Sequence, residues 1–121
     1  MALTKTNTQI HDGTTLTASA GDTTSAAQDL TGSYASVLNV KLTNGATGPT
    51  VPAQVKVQLS EDDSKYYDFG APLVGGVTNA GIYSWSMEIP FGAMYLQLVS
   101  GSNTAQDVTL DADISTVTAL S

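Results

Sequence analysis

The chain predicts an all-β fold, an antiparallel β-sandwich of about seven or eight short strands, on three observations. Six stretches alternate apolar and polar residues with period two, the mark of strands with one face buried. Turn-forming residues recur at intervals of about 8 to 12 positions. No stretch carries the helical period. A length of 121 residues fits one domain, able to bury a core without disulfides or a metal. Jelly-roll and immunoglobulin-like topologies both satisfy this pattern, and no internal repeat of solenoid or propeller length is present.

Residues 1–24 are dominated by Thr, Ser, Ala and Gly, with Ile10 and Leu16 as isolated apolar points and turn signals at Asp12-Gly13 and Gly21-Asp22. They are expected to be an extended N-terminal arm or an edge strand, the latter from Thr14 to Ala18; the sandwich domain occupies 25–121. The first clear strand runs from Ala35 to Thr43, with Leu38, Val40 and Leu42 on one face. Asn44-Gly45 ends it. Pro49 and Pro52 then fix an extended connection, since each proline sets φ and removes a donor, so the chain is expected to cross between sheets rather than turn in a tight hairpin.

Val55, Val57 and Leu59 alternate with Gln54, Lys56 and Gln58 as the next strand. The acidic turn Ser60–Lys65 leads to a strand carrying Tyr66, Tyr67 and Phe69. Residues 74–81 are glycine-rich and are expected to form a mobile surface loop. Tyr83, Trp85, Met87 and Ile89 then share a face, until Pro90 and Gly92 break the ladder. Met94, Leu96 and Leu98 form another face, and Gly101-Ser102-Asn103 turns the chain. Val108, Leu110, Ala112 and Ile114 make the last full strand, with a parity shift at Val117 that predicts a bulge.

Composition excludes more than it specifies. The chain has no Cys, one His and no Arg; its basic groups are Lys5, Lys41, Lys56 and Lys65, and its net charge is -7. Nucleic acid is not an expected partner, because phosphate binding relies on clustered Lys and Arg. Anionic lipid is disfavoured for the same reason, and no apolar run approaches the roughly 20 residues that span a bilayer. The first residues contain no apolar core of a secretory signal, so synthesis in a cytoplasm is expected. Yet a surface rich in Ser, Thr, Asn and Gly is a style more common outside cells. A virion protein, or a processed secreted module, satisfies both.

No constellation points to catalysis, a cofactor or a metal. His11 neighbours Asp12, but adjacent residues in an extended segment face opposite ways and no third relay member follows; it is expected to be solvated. Glu61, Asp62, Asp63 and Asp68 could offer oxygens to Ca²⁺, but the regular ligand loop is absent, and a charged hairpin turn is the simpler reading. Asp107, Asp111 and Asp113 share one strand face, where negative charge discourages edge pairing. Trp85, between Tyr83 and Met87, belongs to the core by its spacing. Tyr66 and Tyr67 are adjacent, so one of them must face outward, where it can make a contact. The candidate partner-binding residues are Leu3, Ile10 and Leu16 in the arm, with Tyr66 and Tyr67.

The stretch VLNVKLTNGATGPTVPAQVKVQLSEDDSKYYDFG, followed by YSWSMEIPFGAMYLQLVSGSNTAQDVTLDADIS, resembles small β-sandwich structural proteins of tailed bacteriophages, of the head decoration (cement) type. The resemblance covers about residues 35 to 115. It lies in an Asn-Gly and paired-proline crossover, a short acidic turn and a Pro-Phe-Gly break. It implies a non-enzymatic virion protein, a homotrimer on the outer capsid surface that clamps the major capsid protein. The arm would then order along the capsid, and deleting residues 2–20 would leave a folded domain that attaches less well. A tail or fibre component, and a carbohydrate-binding module stacking sugars on Tyr66, Tyr67 or Trp85, are the competing readings.

Overall fold

The structure, a computed structural model, describes residues 3–120. Among them are ten strands and no helix: β1 (Leu3–Leu16), β2 (Thr23–Thr24), β3 (Gln28–Asp29), β4 (Ala35–Asn44), β5 (Gln54–Ser60), β6 (Tyr67–Asp68), β7 (Leu73–Val74), β8 (Ile82–Ile89), β9 (Tyr95–Gly101) and β10 (Val108–Leu120). They form two antiparallel sheets, as the alternation predicts. One has the order β1-β10-β4-β8, the other β2-β9-β5-β6. β3 follows β2 along β9, and β7 shares β5 with β6. Each of these two short pairs occupies the place of one interrupted strand.

The pairing is nested. β1 lies on β10, β2 and β3 on β9, β4 on β8, and β5 on β6 and β7. First therefore pairs with last, and so inward, which is the wrapping of a jelly roll rather than of an immunoglobulin sandwich. The core lies between the sheets. Leu38, Val40 and Leu42 of β4 stand opposite Ile114, Ala112 and Leu110 of β10, and face Val55, Val57, Leu96 and Leu98 of the second sheet within one buried cluster. Each such leucine contributes about 1.5–3 kcal/mol by leaving water.

The crossover from β4 to β5 joins the two sheets, and one glycine makes it possible. A Cβ on Gly48 would stand 2.0 Å from the Val77 carbonyl oxygen, so only glycine lets these backbones approach. The glycine-rich segment is anchored, contrary to the mobility its composition suggests. The buried Asn44 donates through Nδ2 to the carbonyls of Gly76 and Thr78, and Asn79 Oδ1 accepts from the Gly48 N–H.

The N-terminal segment is also more ordered than its composition implies. From Leu3 to Leu16 it is a 14-residue edge strand along β10, far longer than the strand expected at Thr14–Ala18; residues 1 and 2 lie outside the described residues. Three register shifts interrupt it, at Thr4/Lys5, Gln9/His11 and His11/Thr14. The last two insert an extra residue in β1 and reset its side-chain parity, which hides the strand from a period-two reading. Gly13, at φ 65°, takes the bulge conformation, and its N–H donates to Asp111 Oδ1 at 2.8 Å. The bulge predicted at Val117 falls just beyond it: Lys5 faces Val117 and Thr4 faces Ala119. Because Leu16 is 2% exposed within the core, removing residues 2–20 would open the core and bare the β10 edge. Of the two expectations, arm or edge strand, residues 3–16 take the edge strand.

A candidate contact site at the aromatic end

The sandwich has two ends. At one, β4 begins, β8 finishes, and the Ser60–Lys65 turn links β5 towards β6. Its connections are tied together: Leu30 N–H donates to the Met94 carbonyl, Met94 N–H to that of Ser60, and Tyr34 N–H to that of Val117. Three aromatic side chains stand in solvent here, Tyr34 at 56%, Tyr67 at 69% and Phe91 at 72% exposed. The other end holds the β4–β5, β7–β8 and β9–β10 loops.

The acidic turn is built around two short side chains. Ser60 Oγ accepts from the Asp62 and Asp63 N–H groups and donates to Asp62 Oδ1. Asp62 Oδ1 also accepts from the Lys65 and Ser64 N–H groups at 3.0 Å each. These bonds, that from Lys65 foremost, hold the Asp62 carboxyl below its ordinary pKa. The next residues divide. Tyr66 is half-buried and its hydroxyl donates to Asp63 Oδ1; burial first, then this bond, pushes its pKa up to about 12. Tyr67 is the outward member of the pair that the sequence left undecided.

Between this turn, β6 and the Pro90–Gly92 turn lies an open cleft of about 630 Å³. Leu59, Phe69, Ala93 and Pro90 supply apolar wall, Tyr67 an aromatic face, and Glu61, Asp62, Asp68 and Lys65 the charged rim. One Asp68 oxygen accepts from Gln58 Nε2. Such a surface can stack on a ring or a planar cation and accept hydrogen bonds from N–H or O–H donors. Phe91 and Tyr34 at this end were not singled out as contacts. The signal for Phe91 was present, since an aromatic between Pro90 and Gly92 sits in a turn with no sheet face to bury it.

The other candidate residues are dispersed. Leu3 opens β1, and its side chain lies outside the described residues. Ile10 is half-buried against the core, and Leu16 is part of it, so Leu16 is not available as a docking residue on the folded chain. Trp85 stands opposite Val40 and packs against the core, which removes it as an outward sugar platform. His11 is not solvated but 8% exposed. Its Nδ1 lies 3.1 Å from Thr14 Oγ1, Nε2 has no hydrogen-bond partner among the described residues, and desolvation lowers its pKa. The bulges beside it turn the ring inward.

The three aspartates around β10 act separately. Asp107 accepts from the Ala18 N–H, Asp111 from the Gly13 N–H and Asp113 from Asn39 Nδ2. Among the described residues no group of three or more His, Cys, Asp or Glu is placed to hold a metal.

No protein-family model matches the chain, and no curated protein sequence does. Solved structures do. The chain is similar to the SPBc2 prophage-derived protein YomS at 16% identity and TM-score 0.55, covering 96% of each chain. It is similar to the disulfide-linked pili of Bacillus endospore appendages at 12% identity and TM-score 0.60, over 98% of this chain and 93% of that one. A family 16 carbohydrate-binding module matches at 14% identity and TM-score 0.52, over 82% and 72%. At these identities the likeness is one of fold.

Proposed function

We propose that this chain is a non-enzymatic structural protein of a tailed-phage virion, which attaches to the outer capsid surface and stabilises the assembled head. The observation that carries the reading is the aromatic end: Tyr34, Tyr67 and Phe91 are each exposed there, on a chain whose net charge is -7. Large exposed aromatics at one end of a small domain mark a contact surface. The whole-chain likeness of fold to a prophage-derived protein supports the phage setting. A protein that binds only the assembled lattice stabilises it by mass action. The chain has no cysteine, so contacts of this kind, not disulfides as in the spore pili, hold it in place. Three copies acting together would strengthen attachment through effective concentration.

The test is to mix the purified protein with heads of the phage that encodes it and measure co-sedimentation and resistance of the heads to heat. Binding with raised heat resistance, weakened by Tyr67→Ala and Phe91→Ala together, is expected. Antibody labelling on the tail instead would move the protein to a tail or fibre role, and absence from virions would overturn the reading. A second reading, a carbohydrate-binding module, is favoured by Tyr67 facing a cleft with carboxylate acceptors and by the third fold likeness. A glycan array showing binding that Tyr67→Ala abolishes would establish it.

A further inference from the structure

The cleft at the aromatic end combines two features that select the same ligand group. Its rim carries Glu61, Asp62 and Asp68 against a single lining cation, Lys65, and Asp63 adds a fourth carboxylate from the same turn. Its wall is aromatic and apolar, with Tyr67 in solvent beside Phe69 and Leu59. Aromatic faces attract cations, and a planar guanidinium adds stacking and paired N–H donors that match carboxylates. A compact ammonium is more strongly hydrated and gains less from this setting.

We infer that the cleft receives an arginine side chain presented by a partner protein, with the guanidinium against Tyr67 and its N–H groups donating to Glu61 and Asp68. Asp68 accepts through the oxygen that Gln58 does not hold, and Asp62 acts through its charge, because Oδ1 is already committed to the turn by several bonds. A second copy of the chain is not the occupant. It contains no arginine, and its net charge of -7 would bring like charge to an acidic rim. Phosphate-bearing and other anionic ligands are repelled on the same ground. The inference rests on the reading of this end as a protein-docking surface and names the chemistry of its partner.

The experiment uses the full chain, isotope-labelled, titrated with a short uncharged-background peptide carrying two arginines, and with twins in which lysine or citrulline replaces arginine. Citrulline keeps the shape and loses the charge. Amide shifts confined to residues 59–69 and 90–93 are expected, with the citrulline twin bound at least about tenfold more weakly and lysine between them. Binding should weaken several-fold as salt rises from about 0.05 to 0.3 M. It should be lost in Tyr67→Ala and in the double variant Glu61→Gln with Asp68→Asn, and kept in Tyr67→Phe; unchanged dispersion of the remaining amide signals checks that the variants fold. Equal binding of the citrulline twin, shifts elsewhere on the molecule, or binding of a neutral oligosaccharide panel in place of the peptide would each overturn it. Peptide binding without attachment to phage heads upholds the arginine site and overturns the head reading. Head attachment that survives the double variant does the reverse.

Discussion

The two ends of the sandwich spend their polar groups in opposite ways. At the end away from the cleft, buried asparagines hold the loops: Asn44 donates to Gly76 and Thr78, and Asn103, 1% exposed, donates to the carbonyls of Leu16 and Gln106. Each satisfies backbone groups that would otherwise be stranded out of water. At the aromatic end the Ser60–Lys65 turn is satisfied by its own Ser60 and Asp62, and the apolar side chains left in solvent are aromatic, Tyr34, Tyr67 and Phe91, where the other end exposes the aliphatic Val51, Val77 and Ile82. One end is tied by long-range bonds from buried side chains. The other holds its shape locally and carries the exposed aromatics.

This contrast can be tested by the cost of breaking each end. Asn103→Ala is expected to have the largest effect, about 3 kcal/mol, because two carbonyls lose their donor in a buried site; urea unfolding should show the midpoint falling with the slope unchanged. Ser60→Ala should cost about 1 kcal/mol, since the exposed turn can turn to water. Protection of the Asp62 and Asp63 amides from hydrogen exchange should fall while that of β10 stays.

Acid should next separate the middle of the β1–β10 sheet, where His11 lies opposite Ala112, from the aromatic end. The folded-state pKa of His11 lies below its ordinary 6.5, so the unfolded chain takes up the proton first. Stability from the neutral ring is therefore complete above 6.5 and is lost as pH falls below it, down to the lowered folded value. The melting temperature should decline modestly across that window, and His11→Gln should flatten it. At the aromatic end, Asp29 and Asp62 have carboxyls held below 3.8. Their contribution is present above that value and is lost only as pH drops through the lowered folded pKa. The Ser64 and Lys65 amide signals, whose N–H groups donate to Asp62, should report that late titration.

The smallest effect is expected for Tyr67→Ser and Phe91→Ser. Each should change stability by no more than about 0.5 kcal/mol in a thermal melt, while removing attachment. A large loss would mean that these aromatics pack against the fold and that the contrast between the ends is wrong.

The strands most visible in the sequence were those with one clean face. Val55-Lys56-Val57-Gln58-Leu59 and Tyr83–Ile89 could be placed from spacing alone, and both are strands facing the core. Residues 3–16 were not legible as a strand, because two bulges between Gln9 and Thr14 reset the parity within 14 residues. His11 looked solvated for the same reason. Of the candidate site, Tyr67 was half-legible: adjacency to Tyr66 required one of them to face outward, but only the bond from Tyr66 to Asp63 decided which.

What the sequence determined by itself was the sandwich class and its quiet acidic exterior, since alternation with few cations fixes which face each strand can bury. Only the tertiary structure decided the jelly-roll wrapping, the inclusion of the N-terminal segment as an edge strand, and the meeting of Glu61, Tyr67, Asp68 and Pro90 around one cleft. Those depend on which strands pair across distances of up to the whole chain, and a period of two residues carries no information about partners so far away.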